Sequence, residues 1–565
     1  MKKLRGALLV ITLVLSSSFA LPAVHAEVIP TVEYSVADSQ FGYWLKSTLY
    51  SLSSERNGVK SSGITYCTGW EDPNCAGSKQ SLADLIQTPC SGPEDRGCIE
   101  GVEVSQANGE LEKLTLLGEA TGAAIPSKSF DLASASGGKL LIPRGGGISL
   151  WRSNLAASDG SYRMYMAHLL ARYSYYCGDL RNVAQLAAIK VAGDTCATGT
   201  FDFKGSIIPV SLKAKPSGTA TCEFFAYQDS CVMAENFGGK EKVAVTIRQD
   251  KSLTGWLFGR MQNAEFSVTP IDSQFNLIRV GGQPTFVPPL KASLPKSEIA
   301  KYPRLERYLK TVFNGSDKFD GQMNYNIKGP DGNWLTYSEF LQVANTKMLS
   351  QLYNRWALFD AFEELFKPIQ LTAQNNGVYA APATNSVLWN FASAAYESAD
   401  SNPCSADKSK LHGLVVTNAP VYETGPPKFR DGVLDYRVAG VHNNVDGSEF
   451  KGEYTFIVRS DTARCYYGFS QAPIEARVTV VSSNGAEQIA TVVVSEKDNF
   501  LKLDARGFTF SSPTIKIKLS QPVPITKLPT KARISKITCV KGKSVKVISG
   551  VNPKCPTGYK VRTSR

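Results

Sequence analysis

The sequence predicts an α+β fold of several domains, because segments with helical spacing of apolar residues and segments with alternating apolar residues both occur along its 565 residues. Hydrophobic residues make up 43% of the chain and charged residues 20%, which is typical of a folded protein and excludes a wholly disordered, collagen-like or coiled-coil chain. The length predicts about three or four folded units. We expect a mixed helical and disulfide-rich N-terminal half, a β unit, a helical middle, an antiparallel β-sandwich near the C-terminus and a small disulfide-clipped basic tail.

Residues 1–26 are typical of a secretory signal peptide. A basic start is followed by an apolar run over residues 6–15 and by the small-residue cleavage site Val24-His25-Ala26. The apolar run is too short to span a bilayer, and no later segment is apolar for long enough to do so. We therefore expect a secreted protein, extracellular or associated with the cell wall, that has no transmembrane span after cleavage.

Residues 27–200 form the predicted helical and disulfide-rich region. Apolar residues recur at helical spacing over 41–52 and, most clearly, over 162–191. We expect one or two helices over 162–191, with an apolar face that consists of Tyr165, Met166, Leu169, Leu170, Tyr173 and Tyr176. Residues 61–147, which lie between the two helical segments, are rich in loops and contain four cysteines.

Residues 201–290 form the predicted β unit, because the apolar period there shifts towards two. Its candidate strands are 206–212, 221–227, 241–248, 265–269 and 276–280. A linker with four prolines covers residues 283–295. Residues 297–400 are the predicted helical middle, where apolar residues trace one stripe over 337–366.

Residues 404–520 have the clearest β pattern in the chain. Short alternating segments occur at 454–458, 476–480, 489–494, 501–503, 508–510 and 515–519. Turns such as Asn484-Gly485 separate them, and this regular spacing predicts an antiparallel β-sandwich. A proline-containing linker then leads into the basic tail, and the two together cover residues 521–565.

The cysteines support export, because their number is even and most of them lie in close pairs. Pairing each cysteine with its nearest neighbour predicts six disulfides, Cys67 with Cys75, Cys90 with Cys98, Cys177 with Cys196, Cys222 with Cys231, Cys404 with Cys465 and Cys539 with Cys555. Short loops cost the least entropy to close, which favours this scheme. Spacing alone does not fix the connectivity of the first four cysteines, which allow three arrangements.

Positive charge is concentrated at the two ends of the chain. Of the 62 Lys and Arg residues, three lie in residues 1–26 and 11 lie in 521–565, whereas all 50 acidic residues lie between these segments. Residues 27–520 therefore carry 48 basic and 50 acidic residues, and the net charge of +12 comes from the ends.

A nearly neutral body with a basic end argues against a nucleic-acid partner and favours a tether to an anionic wall polymer or to lipid headgroups. The candidate envelope-binding residues are Lys527, Lys531, Arg533, Lys536, Lys541, Lys543, Lys546, Lys554 and Lys560. The alternative is that a positively charged end merely keeps the protein soluble.

No motif identifies a catalytic, cofactor-binding or metal-ligating residue, and we expect no cofactor. His168, His412 and His442 accompany no Gly-x-Ser-x-Gly elbow, no His-Glu-x-x-His motif and no P-loop. Ser-x-x-Lys matches at Ser293 and Ser405 lack the companion motifs of penicillin-binding enzymes. The cysteine intervals are too long for structural zinc knuckles. A carboxylate pair for glycoside hydrolysis leaves no local trace in a sequence, so a hydrolase stays an alternative.

The tail contains two basic segments that each include a cysteine, ITCVKGK at 537–543 and NPKCPTGYK at 552–560. In these segments the tail resembles a short Cys-bounded basic module that recurs at the C-termini of secreted actinobacterial proteins. RCYYG at 464–468, GFTFSSPTIK at 507–516 and GWLFGR at 255–260 are similar to segments of large exported proteins from such bacteria. That family has no assigned activity, so the resemblance implies a bacterial surface location and no catalytic residue.

Two classes of function follow. We expect an exported surface protein with a binding or structural role, which its basic tail holds to the anionic envelope. The alternative is a secreted hydrolase that acts on polysaccharide or peptide, with its site within residues 150–400 and the β-sandwich as an accessory domain.

Overall fold

The computed structural model describes most of residues 81–122, 146–176, 202–306, 387–393, 403–520 and 535–562, with short gaps, together with 31–36, 48–56, 59–67, 197–198, 348–351, 359 and 378–380. The secondary structure of these residues is mainly β-strand. Helix α1 (Ser460–Tyr467) is the one α-helix whose bounds lie within them, and Lys296–Lys301 forms a short 3₁₀ helix.

The strands up to residue 270 are β1 (Thr31–Val36), β2 (Thr48–Arg56), β3 (Val59–Cys67), β4 (Ser81–Ile86), β5 (Cys98–Ser105), β6 (Leu111–Lys113), β7 (Thr115–Gly122), β8 (Ile148–Ala156), β9 (Tyr162–Tyr176), β10 (Ala197–Thr198), β11 (Asp202–Ala214), β12 (Phe225–Tyr227), β13 (Ser230–Ala234), β14 (Val243–Asp250), β15 (Gly255–Arg260) and β16 (Gln262–Pro270). The remaining strands are β17 (Phe275–Gln283), β18 (Thr285–Phe286), β19 (Leu290–Pro295), β20 (Met348–Gln351), β21 (Val378–Ala380), β22 (Val387–Leu388), β23 (Asn390–Ser393), β24 (Leu411–Thr417), β25 (Val421–Tyr422), β26 (Lys428–Arg430), β27 (Val433–Ala439), β28 (Lys451–Arg459), β29 (Glu475–Val481), β30 (Glu487–Ile489), β31 (Thr491–Lys497), β32 (Phe500–Thr509), β33 (Thr514–Ser520), β34 (Ser535–Lys541), β35 (Ser544–Gly550) and β36 (Lys560–Val561).

Six strands close a small antiparallel barrel. In the order β9, β8, β7, β12, β13, β11, each strand is hydrogen-bonded to the next, and β11 returns to β9. A barrel of so few strands is narrow enough for side chains to fill it. The core at this barrel consists of the buried side chains of Ile86, Ala120, Ile148, Leu150, Met166, Leu170, Ile208, Val210, Phe225 and Val232.

The helix predicted over 162–191 is wrong in its described part, because residues 162–176 form β9. Apolar side chains occupy both faces of this strand. Met166 belongs to the barrel core, whereas its neighbour Tyr165 belongs to a second core on the other face. A strand that is buried on both faces shows no apolar alternation, so its residues also satisfied a helical spacing.

The α+β fold class is also wrong for other segments that were predicted to be helical. Residues 48–52, which belong to the helical stretch predicted over 41–52, lie in β2. In the predicted helical middle, the described elements are mainly β20 to β23 and the short 3₁₀ helix. The stripe over 337–366 lies outside the described residues except for 348–351, which form β20, and Phe359, which is buried.

Beyond the barrel, β9 and β11 continue into a larger sheet. From β9 this sheet runs through β4 and β2 to β3, and from β11 it runs through β23, β15, β24, β28 and β32 to β31. The one parallel pair on this path is β15 with β24. Strand β15 therefore lies between β23, which pairs with β11 on its other side, and β24, the first strand after residue 410.

Two further sheets cover the C-terminal part of this large sheet, one on each face. On one face, Leu414 and Val416 of β24 share a core with the five-stranded sheet β16-β17-β14-β5-β6. On the other face, Val415 shares a core with the sheet of β25, β27, β33, β29 and β30, to which β26 is added. Every residue of β24 is buried, as expected for the middle of three layers. Smaller sheets are β20-β1-β19-β21, β18-β22 and β35-β34-β36.

The RCYYG segment has a structural role at the end of α1. Arg464 is nearly buried and makes two hydrogen bonds to the carboxylate of Glu496, at 2.7 and 3.0 Å. The hydroxyl of Tyr467 donates to the carbonyl of Ile517 on the covering sheet at 2.8 Å. Gly468 ends the helix with a φ of +65°, which favours glycine. These contacts attach α1 to two of the three layers.

Four disulfides join described cysteines in nearest-neighbour pairs, Cys90 with Cys98, Cys222 with Cys231, Cys404 with Cys465 and Cys539 with Cys555. Such a set is typical of a protein that folds in an oxidising compartment. The pairing of Cys67, Cys75, Cys177 and Cys196 lies outside the described part of the chain, although the backbone of Cys67 ends β3.

Candidate functional site

Strands β34, β35 and β36 form a small three-stranded sheet, here called the tail module (residues 535–562). A two-residue turn joins β34 to β35, since Lys541 pairs with Ser544. Gly542, the first residue of this turn, has a φ of +58°, and hairpin turns of this length need such a conformation. Strand β36 then pairs with β34 on its other side, which places β34 in the centre.

The disulfide forms the core of the tail module. Cys539 lies on the central strand and is fully buried, and it is the one buried residue among those described in the module. Its partner Cys555 lies 16 residues further along the chain, in the segment that connects β35 to β36. Closing a loop of this length contributes about 3 kcal/mol to stability. So small a sheet has too little apolar core to be stable without such a crosslink.

Six of the nine predicted envelope-binding cations lie in the tail module. The lysines that the structure describes are all exposed, as is a further cation, Arg562, and together these are Lys536, Lys541, Lys543, Lys546, Lys554, Lys560 and Arg562. No acidic residue occurs in 521–565, so no side chain of the segment neutralises them. Lys527, Lys531 and Arg533 lie outside the described residues. The module therefore presents a concentrated positive charge to the solvent.

The sequence analysis missed the exposed valines of the tail module. Val545 and Val547 are 55% and 61% exposed on β35, and Val551 and Val561 are similarly exposed. Alternation of valine with lysine at 545–547 was the signal that could have identified a strand with one apolar face. The site thus combines cations with accessible apolar side chains.

The histidines do not converge on one site. His168 is buried on β9 opposite Ser206 of β11, and His442 lies between β27 and β28, where its carbonyl accepts from the Phe450 N–H at 2.8 Å. Ser293 lies in β19. Asp179, Asp194, Glu363 and Glu364, four acidic residues that could supply a hydrolase with its carboxylate pair, lie outside the described residues. The side chains of Tyr173, Tyr175 and Tyr176, which could stack on a sugar, lie outside them as well. The described residues therefore bring none of the considered catalytic groups together.

His412 is held as a structural group. Its ring is buried on β24 and lies against Trp256, with 5.8 Å between ring centres. Nε2 lies 3.1 Å from the carbonyl oxygen of Asp407 and must donate to it, which leaves Nδ1 to accept from the Thr462 hydroxyl at 3.0 Å. Burial lowers the pKa of the His412 imidazole and so favours its neutral form, and both ring nitrogens are engaged, so neither is free for proton transfer.

Acidification is expected to destabilise the fold through His412. Burial holds the pKa of this imidazole below its ordinary value of 6.5, so below that pH the unfolded chain binds a proton more readily than the folded chain. The stabilisation is complete above pH 6.5 and is lost as the pH falls below it, by at most about 1.4 kcal/mol per pH unit.

Urea denaturation of wild type and H412Q at about pH 7.5 and about pH 5.5 measures this effect. Glutamine can donate to Asp407 and accept from Thr462 but does not titrate, so H412Q should lose less stability on acidification. An equal loss in both proteins would exclude His412 as the cause.

Within the described ranges, no group of three His, Cys, Asp or Glu side chains could hold a metal ion. No helix in the same part of the chain is long and apolar enough to cross a membrane. Comparison with known proteins adds no assignment, since no family model, no curated protein and no solved structure matches the chain.

Proposed function

We propose that this is an exported binding or structural protein that its tail module attaches to an anionic surface of the cell envelope. The observation that carries the proposal is the cluster of exposed cations on the tail module in a segment that contains no acidic residue. The nearly neutral body would not be attracted to such a surface, so attachment depends on the tail.

The four disulfides agree with this location, because crosslinks of this kind persist outside the reducing cytoplasm. The β layers of the body supply a rigid scaffold, and loops on such scaffolds commonly carry binding residues.

Truncation of the chain after Ser520 is expected to move the protein from washed cells into the culture medium. Salt screens exposed charges over a Debye length of about 8 Å at physiological ionic strength and over less at higher salt, so raised salt should release the intact protein as well. Fractionation of both proteins at low and high salt measures the effect. The proposal would be wrong if the truncated protein stayed on the cells.

A further inference from the structure

The tail module contains a large share of the exposed hydrophobic side chains of the described residues. Eight large hydrophobic side chains are strongly exposed in the described part of the protein, and four of them are Val545, Val547, Val551 and Val561. Scattered exposed apolar residues need no explanation, but a cluster of them on a small cationic sheet marks an interaction site.

Strand register places two of these valines on one face with cations. Directly paired residues of antiparallel strands project to the same face, and successive residues alternate between faces. Val545 pairs with Val540, which pairs on its other side with Lys560, and Val547 pairs with Thr538. This outer face consists of Lys536, Thr538, Val540, Val545, Val547, Ser549, Lys560 and Arg562.

Arg562 belongs to the outer face because the register of β36 continues past its last residue. The Arg562 N–H donates to the carbonyl of Thr538 at 2.8 Å, which sets Arg562 beside Thr538 and two residues after Lys560. The opposite face carries the buried Cys539, the exposed Val561 that pairs with it, and the exposed Lys546, whose Nζ lies 5.3 Å from the ring centre of Tyr559. This face therefore contains the disulfide, whereas the outer face contains no buried residue and places two exposed valines beside cations.

The chemistry of the outer face fits the surface of an anionic membrane. A second copy of the face would set cations against cations. A wall polymer or another soluble polyanion would neutralise the lysines but leave the valines in water. At a membrane surface, cations contact the lipid phosphates while apolar side chains enter the boundary between headgroups and acyl chains.

We propose that the outer face docks on an anionic lipid surface, with Lys560 and Arg562 at the phosphates and Val545 and Val547 inserted among the headgroups. This proposal rests on the tail attachment proposed above and narrows its anionic partner to lipid. It also explains why two valines of β35 are exposed to solvent in a segment that is otherwise rich in cations.

Flotation of the full chain with phosphatidylcholine vesicles, with and without phosphatidylglycerol, tests the proposal. The wild type should bind the vesicles that contain phosphatidylglycerol. The double variant V545T/V547T keeps the β-branched shape but should bind these vesicles about tenfold more weakly. The matched control is V551T, which makes the same change at a valine of 60% exposure outside the three strands and should weaken binding less than about twofold.

A pair of charge variants tests the face independently. K560Q removes a cation from the outer face and should weaken vesicle binding about fivefold, whereas K546Q, on the opposite face, should weaken it less. Non-reducing peptide mapping of the disulfide between Cys539 and Cys555 checks that each variant is folded. If V545T/V547T fails to fold, the comparison of K560Q with K546Q decides.

Wild-type binding by V545T/V547T, or equal losses for K560Q and K546Q, would overturn the lipid proposal. Cell fractionation and vesicle flotation together distinguish a failure of tail attachment from a failure of lipid docking. If truncation after Ser520 releases the protein from cells but the full chain binds none of the vesicles, the tail attaches the protein to a partner other than lipid. If the truncated chain stays on cells, tail attachment itself is wrong.

Discussion

Replacement of Trp256 by alanine is expected to lower the free energy of unfolding by about 3 to 5 kcal/mol, the usual cost of removing a large aromatic side chain from a core. Trp256 is 1% exposed on β15. Its ring stacks on Phe456 of β28 with 5.7 Å between ring centres, and His412 of β24 lies on it as well. The substitution would leave a cavity between three neighbouring strands.

The space around Trp256 cannot collapse easily. A Cβ at Gly413 would lie 2.0 Å from the carbonyl oxygen of Ile457 and 2.8 Å from the Trp256 ring, so the ring packs directly against the backbone of β24. Because β15 joins the two halves of the large sheet, the loss should destabilise both.

Urea denaturation followed by circular dichroism measures this loss. The matched control is W256F, which should lose much less stability, because it keeps an aromatic ring and because the buried Nε1 of Trp256 makes no hydrogen bond in the described structure. A loss below about 1 kcal/mol in W256A would contradict the packing described for this strand.

Removal of the disulfide between Cys539 and Cys555 is expected to unfold the tail module and leave the body intact. The module has one buried residue, Cys539 itself, so no apolar core replaces the crosslink. The variant C539A/C555A should lose about 3 kcal/mol of local stability, which exceeds what so small a sheet can supply.

Hydrogen exchange measured by mass spectrometry reports the change directly, since amides of residues 535–562 should exchange rapidly in C539A/C555A while those of the body stay protected. The matched control is C222A/C231A, which removes a disulfide of the body and should leave the tail module protected. Slow exchange of the tail in C539A/C555A would show that other contacts hold it.

The variant C539A/C555A also distinguishes the effect of the tail's charge on vesicle binding from the effect of its folded structure. C539A/C555A keeps every cation of the tail but loses the register that places Val545 and Val547 beside Lys560. If the outer face binds lipid, vesicle binding should fall although the net charge is unchanged. If charge alone attaches the tail, binding should persist.

Several features of the structure could be predicted from local sequence. The described cysteines pair with their nearest neighbours, and short loops favour such pairs. The alternating segments at 454–458 and 515–519 lie in β28 and β33. Strand β33 turns one apolar face to a core, whereas β28 is a strand of the middle layer and is buried on both faces. The basic, acid-free character of 521–565 is a property of composition and needs no structure.

Other features could not be predicted, because they depend on which strands become neighbours. Residues 162–176 resemble a helix in sequence because the barrel covers one face of β9 and a second core covers the other, which removes the alternation that identifies a strand. The parallel pairing of β15 with β24 joins segments about 150 residues apart, and such a contact leaves no local trace.

The sequence by itself determined the basic tail and the strands that have one apolar face, and it favoured the disulfides that close short loops. These features depend on short separations or on composition, and neighbouring residues suffice to specify them. Only the tertiary structure decided the barrel, the three layers and the outer face of the tail module. Each of these depends on strand register between distant segments, and register decides whether a valine is buried or lies exposed beside a lysine.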